Sequence, residues 1–305
     1  MLDALATANK LRPVFEPLHP AVSNTARHYA YRALDPDNEH AKLQHFLRQV
    51  CAGRCCRMWT HYRGRPDLLL PPPRRLLRPG SLRIMYHRWR KFLDDRPELA
   101  AAARHTEPLV KCIRANLMLG WWQRWLGDRV VLVVRHPGAV VESQVRLGSG
   151  TIWDPEPVLD RYRRDEVLHE WTGNRYRSLL NRPLSRLEGL AINWVIENQM
   201  ALENVASQSV TVVFYEILKA SAAREWQRVC QALELPAVPE DSVLSRPSQQ
   251  SSEAGVETAA AGAEPGWMRR LAPEHARRIQ QILDEVGCGT YAMDDPMPRS
   301  GVAGR

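Results

Sequence analysis

Residues 130–143 read Val-Val-Leu-Val-Val-Arg-His-Pro-Gly-Ala-Val-Val-Glu-Ser. Five apolar residues, four of them β-branched, run into Arg135. Pro137 and Gly138 interrupt the run, and Ser143 follows the arginine by eight positions. The pattern predicts a buried strand, a turn and a helix start. It places a guanidinium at the C-terminal tip of a parallel strand, where open α/β sheets bind their ligands. A guanidinium, a hydroxyl and the unpaired amides of a helix N-terminus together suit a phosphate group. Arg135 and Ser143 are therefore the candidate phosphate-binding pair.

The elements that must position such a pair are legible along the chain. Short apolar or β-branched runs predict strands over 13–16, 109–113, 130–134 and 210–215. Helical patterns lie over 37–51, 82–104, 116–126, 187–205, 222–233 and 273–286, the last opening on Pro273-Glu274. The alternation predicts an α/β domain with a mostly parallel sheet and helices on both faces. One domain is expected over 1–293, with a flexible tail over 294–305. Pro71-Pro72-Pro73 marks a rigid break, and the small and polar residues of 246–266 read as a loop or linker. Residues 148–190, dense in Arg, Asp, Glu and Trp, read as too polar to be core. The Trp121/Trp122 pair and Trp194 read as core residues at helical spacing.

Composition narrows the class. The chain has 305 residues, 44% of them hydrophobic, enough for a sizeable core. No apolar run approaches the roughly 18–20 residues that cross a membrane, and no basic, apolar leader follows Met1. A cytoplasmic enzyme is the expectation. The net charge is +8, and 37 of the 42 basic residues are arginine. A basic surface favours anionic ligands, but the arginines are spread along the chain and form no nucleic-acid module. Of six cysteines only Cys51, Cys55 and Cys56 cluster, without a second Cys or His pair at zinc spacing. Reduced thiols and no metal are expected. Cys112, next to Lys111, carries no mark of a nucleophile.

The 135–143 segment resembles the 3′-phosphate-binding motif of sulfotransferases, in which Arg-x-Pro follows a strand and a serine follows the proline by six residues. These enzymes take sulfate from 3′-phosphoadenosine 5′-phosphosulfate (PAPS). Further segments are similar to the carbohydrate-type branch of the family, in the expected order. Arg12-Pro13-Val14-Phe15-Glu16-Pro17-Leu18 looks like its second strand, and Leu109-Val110-Lys111-Cys112-Ile113-Arg114 like the next, with its lysine. Trp194 with Asn198 resembles the helix before the last strand. Val212-Val213-Phe214-Tyr215-Glu216-Ile217-Leu218 resembles the Tyr-Glu-Asp-Leu signature, with Ile217 in place of aspartate, and Trp267 with Leu271 fits the C-terminal end. The resemblance spans about residues 1–290 and implies a P-loop-NTPase-like three-layer sandwich around a central, mostly parallel sheet.

The chain departs from the family pattern at its start. The family opens with a strand and a loop like Arg-Ser-Gly-Thr-Thr, whose amides cradle the 5′-phosphosulfate. No such loop occurs in this sequence, and Met1-Leu2-Asp3-Ala4-Leu5 reads as the middle of the helix that follows it. The expectation is an internal methionine or a truncated gene.

The resemblance implies roles for individual residues. Arg135 and Ser143 bind the 3′-phosphate. Lys111 approaches the sulfuryl group, and Glu16 is the candidate base. Ile113 stands where cytosolic sulfotransferases carry a histidine base, which leaves His19 as the alternative. Arg114 and Arg246 are possible further contacts. Tyr215 and Glu216 anchor the last strand to neighbouring loops, and residues 148–190 correspond to a stretch that helps cover the acceptor. The implied reaction moves a sulfuryl group from PAPS to a hydroxyl of a carbohydrate or glycoconjugate, without metal. Alternatives are a catalytically inactive, nucleotide-binding remnant and a P-loop-related kinase. The kinase would need Mg²⁺ and a Gly-x4-Gly-Lys-Ser/Thr loop, which this sequence lacks.

Overall fold

The computed structural model describes residues 1–20, 22–52, 107–148, 154–205, 210–240 and 265–299. The expected helix at 82–104, the Pro71–Pro73 break, Cys55, Cys56, Arg246 and most of the 246–266 loop lie outside the described residues. The fold is mixed α/β with parallel strand pairs, and it divides into two compact units.

The first unit comprises the described residues within Met1–Ala30, Glu39–Ala115 and Pro236–Val256. Helix α1 (Leu2–Ala8) buries Ala4, Leu5 and Ala6 and leads into β1 (Arg12–Phe15). Helix α2 (Asn24–Tyr29) starts at Ser23, whose hydroxyl accepts the Ala26 amide at 3.0 Å, a side-chain N-cap. Helix α3 (Ala41–Cys51) buries Leu43, Phe46, Leu47 and Val50, an apolar stripe at spacings of three and four. Strand β2 (Pro108–Lys111) pairs parallel with β1, Arg12 opposite Pro108 and Phe15 opposite Lys111. Each strand is four residues long. Arg12 Nη2 donates to the Cys51 carbonyl and ties β1 to the end of α3. Asn9 and Ala237 exchange two hydrogen bonds, at 2.8 and 2.9 Å, holding the 236–240 segment to the end of α1.

The second unit comprises the described residues within Tyr31–Asn38, Asn116–Leu235 and Glu257–Arg305. A 3-10 turn (Asn116–Met118) opens α4 (Leu119–Leu126), which stops at Gly127 in the left-handed region, φ 71°. The indoles of Trp121 and Trp125 donate to the carbonyls of Asn38 and Pro36, and Trp122 donates to Asp128 at 2.7 Å. Strand β3 (Val130–Val134) leads through Arg135 and His136 into α5 (Pro137–Arg146). Four helices follow: α6 (Glu156–Arg163), α7 (Glu166–Trp171), α8 (Arg177–Asn181) and α9 (Arg186–Trp194). Helix α9 opens with a Ser185–Glu188 capping box and runs through a π turn (Val195–Gln199) into α10 (Met200–Val205). Strand β4 (Val210–Phe214) pairs parallel with β3, Val130 opposite Val210 and Val134 opposite Phe214. It passes directly into α11 (Tyr215–Ala220), followed by α12 (Ala222–Ala232), α13 (Gly266–Arg270) and α14 (Pro273–Glu285).

The core of this unit gathers Leu132 and Val134 of β3, Val212 and Phe214 of β4, Val141 of α5, Ile192 of α9 and Ile279, Ile282 and Leu283 of α14. Each side chain of this size contributes about 1.5–3 kcal/mol when fully buried.

Two sequence expectations are corrected. Residues 148–190 do supply core: Leu159, Tyr162, Leu168, Tyr176, Leu179 and Leu180 are all buried in the cluster. The apolar residues sit on one side of short amphipathic helices, and an average over composition hides that spacing. Of the expected tail over 294–305, the described residues end at Arg299, whose amide donates to the Thr290 carbonyl at 2.9 Å beside an Ala292–Asp295 bridge. The helix expected from 37 starts at Ala41, because the Asp35 carboxylate accepts the Asp37 amide and the Asn38 side chain and holds a turn there.

Candidate functional site

In the second unit the candidate phosphate residue stands where β3 ends. Arg135 is exposed, and its guanidinium lies 5.3 Å from the centroid of the Tyr215 ring. Other arginines of this unit, among them Arg163, Arg175, Arg182 and Arg270, are paired with carboxylates. Among the described residues no carboxylate lies within ion-pair distance of Arg135.

The peptide group that joins Arg135 to His136 is held at both its C=O and its N–H. Its carbonyl accepts the Trp194 indole N–H at 2.9 Å. The next amide, of His136, donates to Glu216 Oε1 at 2.8 Å, and Tyr291 donates its hydroxyl to Glu216 Oε2 at 2.9 Å. Burial pushes the Glu216 carboxyl above its ordinary range, and the His136 amide, the Tyr291 hydroxyl and the field of Arg135 oppose that rise.

His136 is the N-cap of α5 and fully buried. Its Nδ1 accepts the Gly138 amide at 3.0 Å, while Nε2 faces the carbonyls of Ala292 and Asp295 at 3.2 and 3.1 Å. Carbonyls only accept, so Nε2 carries the proton and the ring is the neutral Nε2–H tautomer. Desolvation lowers its pKa to about 4. The ring stacks on Trp267 with centroids 4.3 Å apart and meets Tyr291 edge-on at 4.8 Å. Trp267 also explains Gly138. A methyl there would lie inside contact distance of the indole and 2.8 Å from Met293 Cε. Gly138→Ala is expected to cost about 1–3 kcal/mol through overpacking. Urea unfolding checks it, and an unchanged midpoint would show that Trp267 can move aside.

The buried neutral imidazole gives a pH dependence whose sign is fixed. Its folded pKa lies below the ordinary 6.5, so the unfolded chain binds a proton that the folded chain refuses. The contribution is full above about pH 6.5 and is lost as pH falls to about 4, amounting to about 3 kcal/mol across the window. Glu216 has the opposite slope, so the difference between wild type and variant isolates the histidine. His136→Asn keeps an N-cap acceptor and is expected to flatten the decline in urea midpoint between pH 7 and pH 4.5. Parallel declines in the two proteins would contradict it.

Ser143 is half-buried in α5, about 9 Å along the axis from Pro137. Below it, Arg186 donates to the carbonyls of Gln144, Val145 and Gly148 and closes the end of the helix.

In the first unit the other expected residues gather around Glu16. Glu16 leaves β1 with φ 49°, a left-handed conformation that costs a non-glycine residue about 1–2 kcal/mol. Its buried carboxylate accepts Arg114 Nη1 at 2.7 Å, Lys111 Nζ at 3.3 Å and the Ile113 amide at 3.2 and 3.3 Å. The contacts bind the end of β1 to the residues that follow β2 and hold the strained turn. Lys111 is the exposed partner, its side chain 40% accessible and its ammonium 4.4 Å from the Phe15 ring centroid. Arg114 is buried, 5% accessible.

His19 is buried as well, in a turn where its amide donates to the Glu16 carbonyl at 2.9 Å. Desolvation, then the Arg114 charge, lower its pKa to about 3. An imidazole that weak is a poor proton acceptor at neutral pH, which counts against His19 as the base. Cys112 is pushed up to about 12, chiefly by burial and next by Glu16, and stays a thiol. Among the described residues no group of three His, Cys, Asp or Glu side chains is placed to hold a metal ion, and no helix is long and apolar enough to cross a membrane.

The structure thus places Glu16, Lys111, Arg114 and His19 in one cluster of the first unit, and Arg135 and Ser143 on one strand-turn-helix of the second. Sequence reading missed His136, Tyr291 and the stacking of Trp267. For His136 a local signal existed, because it directly precedes a proline at the first position of a helix. Tyr291 had none, being 75 residues from its partner. No family model, curated protein or solved structure matches the chain.

Proposed function

We propose that the chain is a PAPS-dependent sulfotransferase-like protein of the carbohydrate type, with Arg135 and Ser143 as its 3′-phosphate ligands. The observation that carries this reading is the exposed guanidinium at the C-terminal end of a parallel strand, followed by a peptide group whose C=O and N–H are both held by side chains. The proposed finer architecture is the P-loop-NTPase-like sandwich. Parallel pairing in both units, with helices between paired strands, supports it.

In the proposed reaction the S–O bond to the nucleotide 5′-phosphate breaks and an S–O bond to the acceptor hydroxyl forms. The hydroxyl proton passes to a base, and charge grows on the leaving phosphate. Glu16 is assigned as base and Lys111 as the cation serving the sulfuryl group. Lys111 is the mobile partner in that role, because its ammonium reaches solvent while Arg114 stays buried with the carboxylate. A carbohydrate hydroxyl is the proposed acceptor.

A second reading, nucleotide binding without turnover, is favoured by the same carboxylate. Glu16 already accepts from two cations and a backbone amide, and each competes with a substrate proton for its oxygens.

Calorimetric titration with 3′-phosphoadenosine 5′-phosphate, with 5′-AMP as control, tests the nucleotide site. A preference for the 3′-phosphorylated ligand is expected. Equal or absent binding of the two by folded protein overturns the reading.

A further inference from the structure

We propose that Glu216 is a positioning residue for Arg135, acting through the peptide group that joins Arg135 to His136; this rests on the phosphate-binding reading above. An exposed arginine ordinarily loses much rotamer and backbone freedom when it binds an anion, and that loss subtracts from affinity. Here part of the loss is already met by the fold. The carbonyl of Arg135 accepts from Trp194, and the following amide donates to Glu216. Glu216 is held in turn by the buried hydroxyl of Tyr291. Tyr291 packs edge-on against Trp194, with ring centroids 5.9 Å apart, so the two supports brace each other.

Glu216 sits one residue after Tyr215, whose ring lies under the guanidinium. The step from β4 into α11 therefore supplies both the carboxylate that grips the backbone and the ring that supports the side chain. Trp194 ends α9 where the π turn begins, a local widening that often marks functional positions. None of these groups needs to touch the ligand. Their effect is to present one guanidinium, at the end of a two-stranded parallel pair, with little left to order.

The charges facing this carboxylate come from several elements. Arg135 follows β3, His136 caps α5 and is neutral, and Tyr291 lies beyond α14. The functional requirement on Glu216 is an acceptor for the His136 amide and a partner for the Tyr291 hydroxyl. A glutamine amide provides both, its oxygen accepting the amide and its NH2 donating to the hydroxyl.

The test is a double-mutant cycle on the full chain, read by calorimetric affinity for 3′-phosphoadenosine 5′-phosphate. Glu216→Ala is expected to weaken binding about tenfold or more, and Glu216→Gln to restore it to within a few-fold of wild type. In an Arg135→Ala background the Glu216→Ala effect is expected to vanish, because the group it positions is gone. Tyr291→Phe provides a milder probe should Glu216→Ala fail to fold, with the same expected coupling to Arg135. Losses that simply add, or a glutamine variant as weak as alanine, overturn the positioning role while leaving the phosphate site intact. No binding by folded wild type overturns the phosphate reading, and this proposal with it.

Discussion

Replacing Arg135 with alanine is expected to weaken binding of 3′-phosphoadenosine 5′-phosphate about a hundredfold and to leave 5′-AMP binding unchanged. The size follows from the bond lost. Charge-assisted, two-pronged contacts between guanidinium and phosphate are worth about 3 kcal/mol, which is two powers of ten in affinity. The selectivity follows from the proposed position: the side chain is assigned to the 3′-phosphate, which 5′-AMP lacks. Arg135→Lys keeps the charge but loses the planar fork, so an intermediate affinity is expected. Because Arg135 is exposed, raising the salt should shrink the difference between wild type and variant. The urea midpoint should stay within about 0.5 kcal/mol of wild type, since truncation removes a contact with the Tyr215 ring and no ion pair among the described residues. Equal affinities in wild type and Arg135→Ala would remove Arg135 from the site.

The second large effect is expected at Glu16. Its carboxylate and the Arg114 guanidinium are both almost fully buried, 1% and 5% accessible. Glu16→Ala leaves Arg114 charged, buried and without that counter-charge, and breaking one side of such a pair costs about 3–5 kcal/mol. The φ of 49° adds to the case, because the carboxylate contacts hold that strained turn. Adding Arg114→Met should recover a substantial part of the loss, since removing both charges is far milder than removing one. Urea unfolding of the two single variants and the double variant checks this. A loss below 1 kcal/mol for Glu16→Ala would mean that the ionic junction does not hold the two strands.

Turnover separates the structural role of this residue from its proposed catalytic one. Glu16→Gln is expected to reduce sulfuryl transfer by about 10²–10⁴-fold, the usual worth of a positioned base, with nucleotide affinity spared. Retained turnover in folded Glu16→Gln would move the proton to another group. His19 is a weak candidate for it, with a pKa lowered to about 3.

Much of the positioning framework was legible. The expected strand over 130–134 matches β3 (Val130–Val134), and those over 13–16, 109–113 and 210–215 differ from β1, β2 and β4 by one or two residues at their ends. The helices at 222–233 and 273–286 were equally close. In each case the signal is local: β-branched runs, a proline at the first helical position, apolar residues at spacings of three and four. Residues 148–190 failed because charged side chains dominate their composition while a few well-spaced leucines and tyrosines carry the packing.

The candidate site divides along the same line. By itself the sequence determined that a strand runs into Arg135, that Pro137 starts a helix, and that Ser143 lies on it, because steric and hydrogen-bonding preferences within 14 residues settle that arrangement. Only the tertiary structure decided what holds it. Glu216 meets the His136 amide across 80 positions, the His136 ring meets the Ala292 carbonyl across 156, and Glu16 meets Arg114 across 98. Whether a glutamate is a solvated surface charge or the buried partner of two cations, and whether a histidine is charged or neutral, depends on the dielectric and the donors that packing brings together, and no local pattern encodes either.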